Sequence, residues 1–128
     1  MKSDPAAKLF LNMAQKDFTT IRKMASDHEF ADEVFGFHAQ QAVEKAAKAL
    51  LAAKGIIFER THDLETLFDA LEDNGCIEQG AYSSLIDLTD FAVHYRYQAF
   101  DEFEAGLDRS AVVDEVRRFL DAAGEIVG

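Results

Sequence analysis

The polar side chains with the most suggestive spacing lie on one predicted helix in the first half of the chain. Positions i, i+3, i+7 and i+10 of a helix share a face, and here they hold His38, Gln41, Lys45 and Lys48. Gln41 and Glu44 lie where that face meets the apolar positions, so each needs a hydrogen-bond partner or water. Two interpretations are open: a shallow cationic groove for a nucleotide or phosphate, and a solvated face in which Glu44 pairs with Lys48.

A histidine at the start of the next predicted helix is the second candidate. His62 lies between Thr61 and Asp63. An imidazole at that place could act as a ligand or a base. Such a turn more often serves only to cap a helix, and this simpler role is the alternative for His62.

An isolated arginine in an acidic stretch is the third candidate. Arg96 is the one basic residue between Thr61 and Asp108. An ion pair with a buried carboxylate such as Glu44, a two-pronged contact to phosphate, or an interface would each explain it. The adjacent Tyr97 could stack on a base or pack against a partner.

Other common chemistries find little support in the sequence. The four histidines show no His-x-x-x-His spacing, so we expect no metal site. The chain has no glycine-rich phosphate loop and no Gly-x-Ser-x-Gly motif, and Cys76 has no histidine near it in sequence. We therefore expect no cofactor and name no catalytic residue.

The charge is distributed unevenly along the chain. The protein has 128 residues and a formal net charge of −11. Residues 1–60 hold eight acids and nine bases, whereas residues 61–128 hold sixteen acids and four bases. The overall charge disfavours RNA and anionic membranes as partners, but the half that contains Lys45 and Lys48 allows a local anion site. With 48% hydrophobic residues, one cysteine and no long apolar run, we expect a cytoplasmic protein with one domain over residues 1–128.

The apolar periodicity predicts an all-α fold, an up-and-down antiparallel bundle of four or five helices, which must position these side chains. The first helix is predicted over residues 4–27, with Pro5 in its first turn. The second is predicted over residues 31–54, and Gly55 ends it.

The remaining helices are predicted from caps and shorter apolar patterns. Thr61 is predicted to cap a third helix that closes at Asn74-Gly75. Residues 99–109 are predicted to form a loop, and Ser110 to cap a fifth helix. The fourth helix is predicted over residues 81–98 from an apolar pattern made of Tyr82, Leu85, Leu88 or Thr89, Ala92 and Tyr95.

Three stretches of the chain form a specific combination, namely Phe37–Leu51, Thr61–Leu64 and the pair Arg96-Tyr97. Together they resemble the motifs of the HEPN domain family (higher eukaryotes and prokaryotes nucleotide-binding). The resemblance spans about residues 6–125 and departs from the family pattern at Gln98, where proline is usual.

The resemblance implies a helical bundle that commonly forms a homodimer, which aromatic residues such as Phe35, Phe91 and Phe100 would serve. It also implies binding of an ATP-type or GTP-type nucleotide, or partnership with a minimal nucleotidyltransferase encoded beside it, often as a toxin–antitoxin pair. The ligand-binding residues are then expected to be His38, Gln41, Glu44, Lys45, Lys48, His62, Arg96 and Tyr97.

Some members of the family are metal-independent ribonucleases with an arginine, four to six residues and a histidine in a late helix. Here that spacing joins only Arg22 to His28, at the end of the first predicted helix. The late helix reads His94-Tyr95-Arg96, in the opposite order. The sequence thus favours a module without catalysis, with two alternatives: a ribonuclease toxin, and a structural adaptor whose ion pairs join Glu44, Lys48 and Arg96.

Overall fold

The computed structural model describes residues 4–91 and 107–128, and this part of the chain is helical, without a β-strand. The predicted all-α fold is therefore confirmed. The helices are α1 (Pro5–Met24), α2 (Asp32–Ala53), α3 (Leu64–Asp73), a 3-10 helix (Ser83–Leu88) and the C-terminal helix (Arg109–Val127).

The first two helices begin and end where their local sequence requires. The Asp4 side chain accepts a hydrogen bond from the Ala6 amide, and Pro5 occupies the first turn of α1, as predicted. Gly55, at φ +68°, follows α2 in the left-handed conformation that glycine adopts most easily, and the next amide, Ile56 N, donates to Leu51 O at 2.9 Å.

Two predicted caps were each wrong by two residues. Asp63, not Thr61, caps α3 by accepting from the Glu65 amide, while the Thr61 hydroxyl, two positions earlier, accepts from the Asp63 amide. Asp108, not Ser110, caps the C-terminal helix. In both cases the aspartate carboxylate stands at the positive end of the helix dipole, which favours it over a neutral hydroxyl.

The prediction of an α-helix from residue 81 was wrong for its first part. Residues 83–88 form a 3-10 helix, and α-helical structure resumes at residues 89–91. The rest of the predicted fourth helix lies outside the described residues. The buried side chains here recur at every third position, which matches the three residues per turn of a 3-10 helix: Tyr82, Leu85, Leu88 and Phe91.

The core is built around α2, in which every residue is buried or half-buried. This helix contacts α1, α3, the 3-10 helix and the C-terminal helix. Phe35 and Phe91, suggested above for a dimer interface, lie instead in the core, 0% and 7% exposed. Phe100 lies outside the described residues. Within the described part of the chain, no helix has the length and apolarity needed to cross a membrane.

Candidate functional site: a polar cluster on α2

A buried carboxylate forms the centre of the candidate site. The Glu44 side chain is 2% exposed, and its Oε1 accepts from Nε2 of Gln40 at 3.0 Å and lies 2.9 Å from Nδ1 of His62. Its Oε2 accepts from Nζ of Lys48 at 3.0 Å, so the predicted Glu44–Lys48 pair is present. Burial of a carboxylate requires such partners, because desolvation otherwise opposes its charge.

Gln40 ties this carboxylate to the start of α3. It is fully buried, and its Nε2 donates both to Glu44 Oε1 and to the main-chain oxygen of His62, each at 3.0 Å. Its Oε1 accepts from Nε2 of Gln41 at 2.6 Å. Gln40 was not among the predicted site residues. Its position one turn before Glu44 was the available signal, because residues at i and i+4 are neighbours on a helix.

Lys45 extends the cluster toward the surface. Its Nζ donates to Oε1 of Gln41 at 3.0 Å, and the side chain is half-buried. Among the residues that the structure describes, the partner of the Lys45 ammonium is a neutral amide, whereas the charge of Lys48 is paired with that of Glu44. We call Gln40, Gln41, Glu44, Lys45, Lys48 and His62 the α2 polar cluster.

The surroundings of Glu44 keep it ionised. Burial raises the pKa of this carboxyl, but the hydrogen bonds from Gln40, His62 and Lys48, with the charge of Lys48, outweigh burial. The pKa of Glu44 therefore lies below the ordinary value of a glutamate. At neutral pH the α2 polar cluster thus contains one negative charge and two lysine ammonium groups.

His38 belongs to a different contact from the rest of the predicted set. Its Nδ1 lies 3.1 Å from Oδ1 of Asp17 on α1, and its ring packs edge-to-face with Phe37. The structure therefore brings together five predicted residues, Gln41, Glu44, Lys45, Lys48 and His62, and directs His38 to α1. Arg96 and Tyr97 lie outside the described residues.

Three cavities bounded by described residues lie away from the α2 polar cluster. The largest, about 550 Å³, is lined by residues that include His28, Asp32 and Arg109. Arg109 already donates to Asp32 and to main-chain oxygens, so it is not a free anion-binding group. Cavities of about 230 and 110 Å³ lie beside Cys76 and Leu88. Among residues 4–91 and 107–128, no group of three or more His, Cys, Asp or Glu side chains could hold a metal ion.

Comparison with known proteins defines the class of this chain. The profile of the HEPN domain matches residues 7–128, which is nearly the whole sequence. The chain therefore belongs to the HEPN domain family, as the resemblance of its motifs predicted.

One curated protein is similar to part of this chain. A protein of Methanocaldococcus jannaschii named "Putative toxin MJ1304" is 43% identical over 54 residues, which are 42% of this chain and 34% of that protein. The chain thus aligns with about a third of that relative's length. No solved structure matches the chain significantly.

Proposed function

We propose that this chain is a HEPN module without a catalytic centre of its own, which binds a nucleotide and partners a minimal nucleotidyltransferase in a toxin–antitoxin pair. The observation that carries the proposal is the ammonium of Lys45, which within the described residues donates to a neutral amide, beside the Glu44–Lys48 pair. It gives the α2 polar cluster a local positive charge on a chain whose net charge is −11. Such a site attracts a small anion, while the acidic remainder repels a long polyanion.

The residues of the cluster have separate roles in this proposal. Lys45 contacts the phosphates directly. Lys48 and His62 bind the carboxylate of Glu44, and the His62 contact fixes the start of α3 relative to α2. Gln41 orients the Lys45 amine. If Arg96 adds a second cation there, the phosphate contact becomes stronger, because a guanidinium binds phosphate through two parallel hydrogen bonds.

Calorimetric titration with ATP and GTP tests the nucleotide half of the proposal. The informative variant is Lys45→Ala, because Lys48→Ala would leave the buried Glu44 carboxylate without its cation. We expect binding to weaken at least severalfold in Lys45→Ala and to stay unchanged in Lys23→Ala, which removes an exposed lysine from the end of α1. No binding by the wild-type protein contradicts this half and favours the structural adaptor.

Co-expression tests the partner half. A small nucleotidyltransferase encoded beside this chain should co-purify with it in a fixed ratio. We also expect its presence to relieve any growth defect that the HEPN chain causes when it is expressed alone. A chain that is harmless when expressed alone, and that elutes apart from such a neighbour, contradicts the toxin–antitoxin assignment.

A metal-independent ribonuclease toxin is the second candidate, and the similarity to a protein named "Putative toxin MJ1304" supports only the toxin part of it. Arg22 and His28 are both exposed, at the end of α1 and in the following loop. Cleavage of RNA in the presence of a chelator that disappears in His28→Ala would support this function. Protein that is inert on RNA under those conditions excludes it.

A homodimer also remains part of the proposal, supported by family membership. Light scattering at increasing protein concentration measures it directly. A monomeric mass at high concentration contradicts it.

A further inference from the structure

The side of α1 that faces away from the core combines exposed apolar and cationic side chains. Four of them follow one another at spacings of four, three and seven, which keep residues on one side of a helix. The buried Ala14 and Phe18 lie on the opposite side and pack in the core. We call the four exposed residues the outer face of α1: Leu9, Met13, Lys16 and Lys23.

This outer face is positively charged and partly apolar. Within the described residues, neither Lys16 nor Lys23 takes part in an ion pair. Asp17, the one acid within α1, is engaged by His38. Leu9 is 61% exposed and Met13 is 37% exposed. Two adjacent apolar side chains bordered by ammonium groups form a surface suited to a partner that is both apolar and acidic.

The cavity of about 230 Å³ beside Cys76 is a groove with a largely apolar lining. It lies between the C-terminal helix and the segment that joins α3 to the 3-10 helix. Ile77 and Ala122, from its two sides, are half-buried, and Ile126 is 39% exposed. The described residues therefore leave part of this lining accessible. We call it the C-terminal groove, with its apolar lining made of Leu50, Cys76, Ile77, Ala81, Tyr82, Ala122 and Ile126.

The charge around the C-terminal groove is negative. Glu78 lines the groove and is exposed. Arg118, the other charged residue of the lining, donates to Glu115 and to the main-chain oxygen of Ala81, so its charge already has a partner. Residues 61–91, which include Glu78, hold eight acids and no lysine or arginine. The groove thus offers an apolar floor with an acidic side, which complements the outer face of α1.

The two complementary surfaces lie at the same end of the bundle. Ala7 packs with Ala49 and Val127, where α1 begins and where α2 and the C-terminal helix end. Leu50 and Ile126, the sequence neighbours of Ala49 and Val127, line the C-terminal groove. The outer face of α1 begins two positions after Ala7. If two copies exchange these surfaces about a two-fold axis, the assembly closes at two chains.

We infer that the chain forms its homodimer by mutual docking, with Leu9 and Met13 of one copy in the C-terminal groove of the other and Lys16 beside its acidic side. The inference rests on the homodimer of the proposed function and goes beyond it by assigning the interface. A second copy is the partner because this chain carries both complementary surfaces. Burial of the apolar pair supplies affinity, while the opposite charges orient the two copies. The α2 polar cluster contributes no residue to either surface, so nucleotide binding is separate.

The double variant Leu9→Ser/Met13→Ser tests the apolar part of this interface. It removes the exposed apolar pair without changing the charge. We expect the dissociation constant of the dimer, measured by sedimentation equilibrium of the full chain, to rise at least about tenfold. The affinity for ATP should stay as in the wild type. The control is Ile57→Ser, which removes an apolar side chain that is 98% exposed outside both surfaces and should leave the dimer unchanged.

Two charge reversals test the orientation of the copies. Lys16→Glu/Lys23→Glu makes the outer face of α1 acidic, and Asp73→Lys/Glu78→Lys makes the side of the groove basic; all four residues are exposed. Each variant alone should be monomeric at concentrations at which the wild type is dimeric. An equimolar mixture of the two should form a heterodimer, because each reversed surface then meets its complement. Raising the salt from about 0.05 M to about 0.5 M should weaken the wild-type dimer.

The outcomes separate this inference from the proposed function. A wild-type dissociation constant in Leu9→Ser/Met13→Ser, or two reversal variants that stay monomeric when mixed, overturns the interface and leaves the homodimer intact. Equal weakening by Lys54→Glu/Arg60→Glu, the same charge change at exposed positions outside both surfaces, also overturns it. So does unchanged self-association of Leu9→Ser/Met13→Ser with loss of co-purification with a nucleotidyltransferase, which makes the outer face of α1 a surface for that partner. A wild type that is monomeric at every concentration and at low salt refutes the homodimer and the interface together.

Discussion

The carboxylate of Glu44 and the imidazole of His62 lie 2.9 Å apart, although 18 positions separate them in the sequence. The carboxylate is almost completely buried on α2, whereas about half of the His62 side chain is exposed at the entrance to α3. This contact, with the Gln40 bridge to the main chain of His62, fixes the connection between the two helices from the inside. The charge of Glu44 is therefore a structural requirement of the surface on which a ligand would bind.

The stability of the protein is expected to depend on the ionisation of Glu44. Its pKa is lowered in the folded state, so its contribution is complete above the ordinary glutamate pKa of about 4.3 and is lost as the pH falls through the lower folded value. Glu44→Gln should lower the free energy of unfolding at pH 7 by about 2–4 kcal/mol, because Lys48 loses its partner. Urea denaturation at pH 7 and at pH 3 measures both effects.

The loss of stability between pH 7 and pH 3 distinguishes Glu44 from the other carboxylates. The Glu44→Gln variant should lose less stability than the wild type between pH 7 and pH 3, since it has no carboxylate charge to neutralise at position 44. Glu29→Gln, at an exposed loop position, is the matched control and should follow the wild-type profile. Parallel profiles for wild type and Glu44→Gln would show that the cluster does not couple to folding.

Arg109 is expected to be the most important single cation for stability. Its Nε donates to Asp32 at 2.9 Å, and its other nitrogens donate to the main-chain oxygens of Met24, Asp27 and Phe30. This side chain, 14% exposed, joins the end of α1, the following loop, the start of α2 and the C-terminal helix. Arg109→Lys should cost about 2–4 kcal/mol, because an ammonium group cannot reproduce the planar fork of donors.

A surface arginine on the same helix provides the comparison. Arg117 pairs with Asp114 at 3.1 Å, but both side chains are well exposed. Arg117→Lys should change the free energy of unfolding by no more than about 0.5 kcal/mol. Equal effects of the two substitutions in thermal or urea denaturation would mean that the Arg109 contacts contribute no more to stability than the exposed Arg117–Asp114 pair does.

The local elements were predictable from the sequence, while the contacts between elements were not. Alanine-rich periodicity predicted α2 and its end at Gly55, and the i, i+4 rule predicted the pair of Glu44 with Lys48. The His62 contact depends on how the start of α3 packs against α2, and no spacing within one helix encodes that. Arg109 was assigned to a predicted loop for the same reason, since its partners lie about eighty positions earlier.

For the 3-10 helix, the spacing of the apolar residues was visible in the sequence but was interpreted with the period of an α-helix. Tyr82, Leu85 and Leu88 are spaced by three throughout, and an α-helical stripe alternates spacings of three and four. Ser83 and Ser84 also lower the preference for an α-helix, because their hydroxyls compete for main-chain hydrogen bonds.

Thr89 is expected to contribute to the start of α3 from outside that helix. Its hydroxyl accepts from the main-chain amide of Leu64 at 3.0 Å, which satisfies one of the free donors of the first turn. Thr89→Val keeps the shape and removes the acceptor, so it should cost about 1–2 kcal/mol. Thr89→Ser, which keeps the hydroxyl, should cost clearly less in the same denaturation assay; the opposite order would assign the role to the methyl group.

Two helical glycines are expected to respond in opposite directions to the same substitution. A Cβ on Gly36 of α2 would lie 2.4 Å from Cδ1 and 2.5 Å from Cγ of Phe91, closer than the two atoms can approach. Gly36→Ala should therefore destabilise the protein by about 1–3 kcal/mol. This cost exceeds the gain of up to about 1 kcal/mol that alanine normally brings to a helix. Gly124, in the C-terminal helix, has no atom within 4 Å of an added Cβ, so Gly124→Ala should raise the melting temperature. Stabilisation by both substitutions would contradict the close packing of Phe91 on α2.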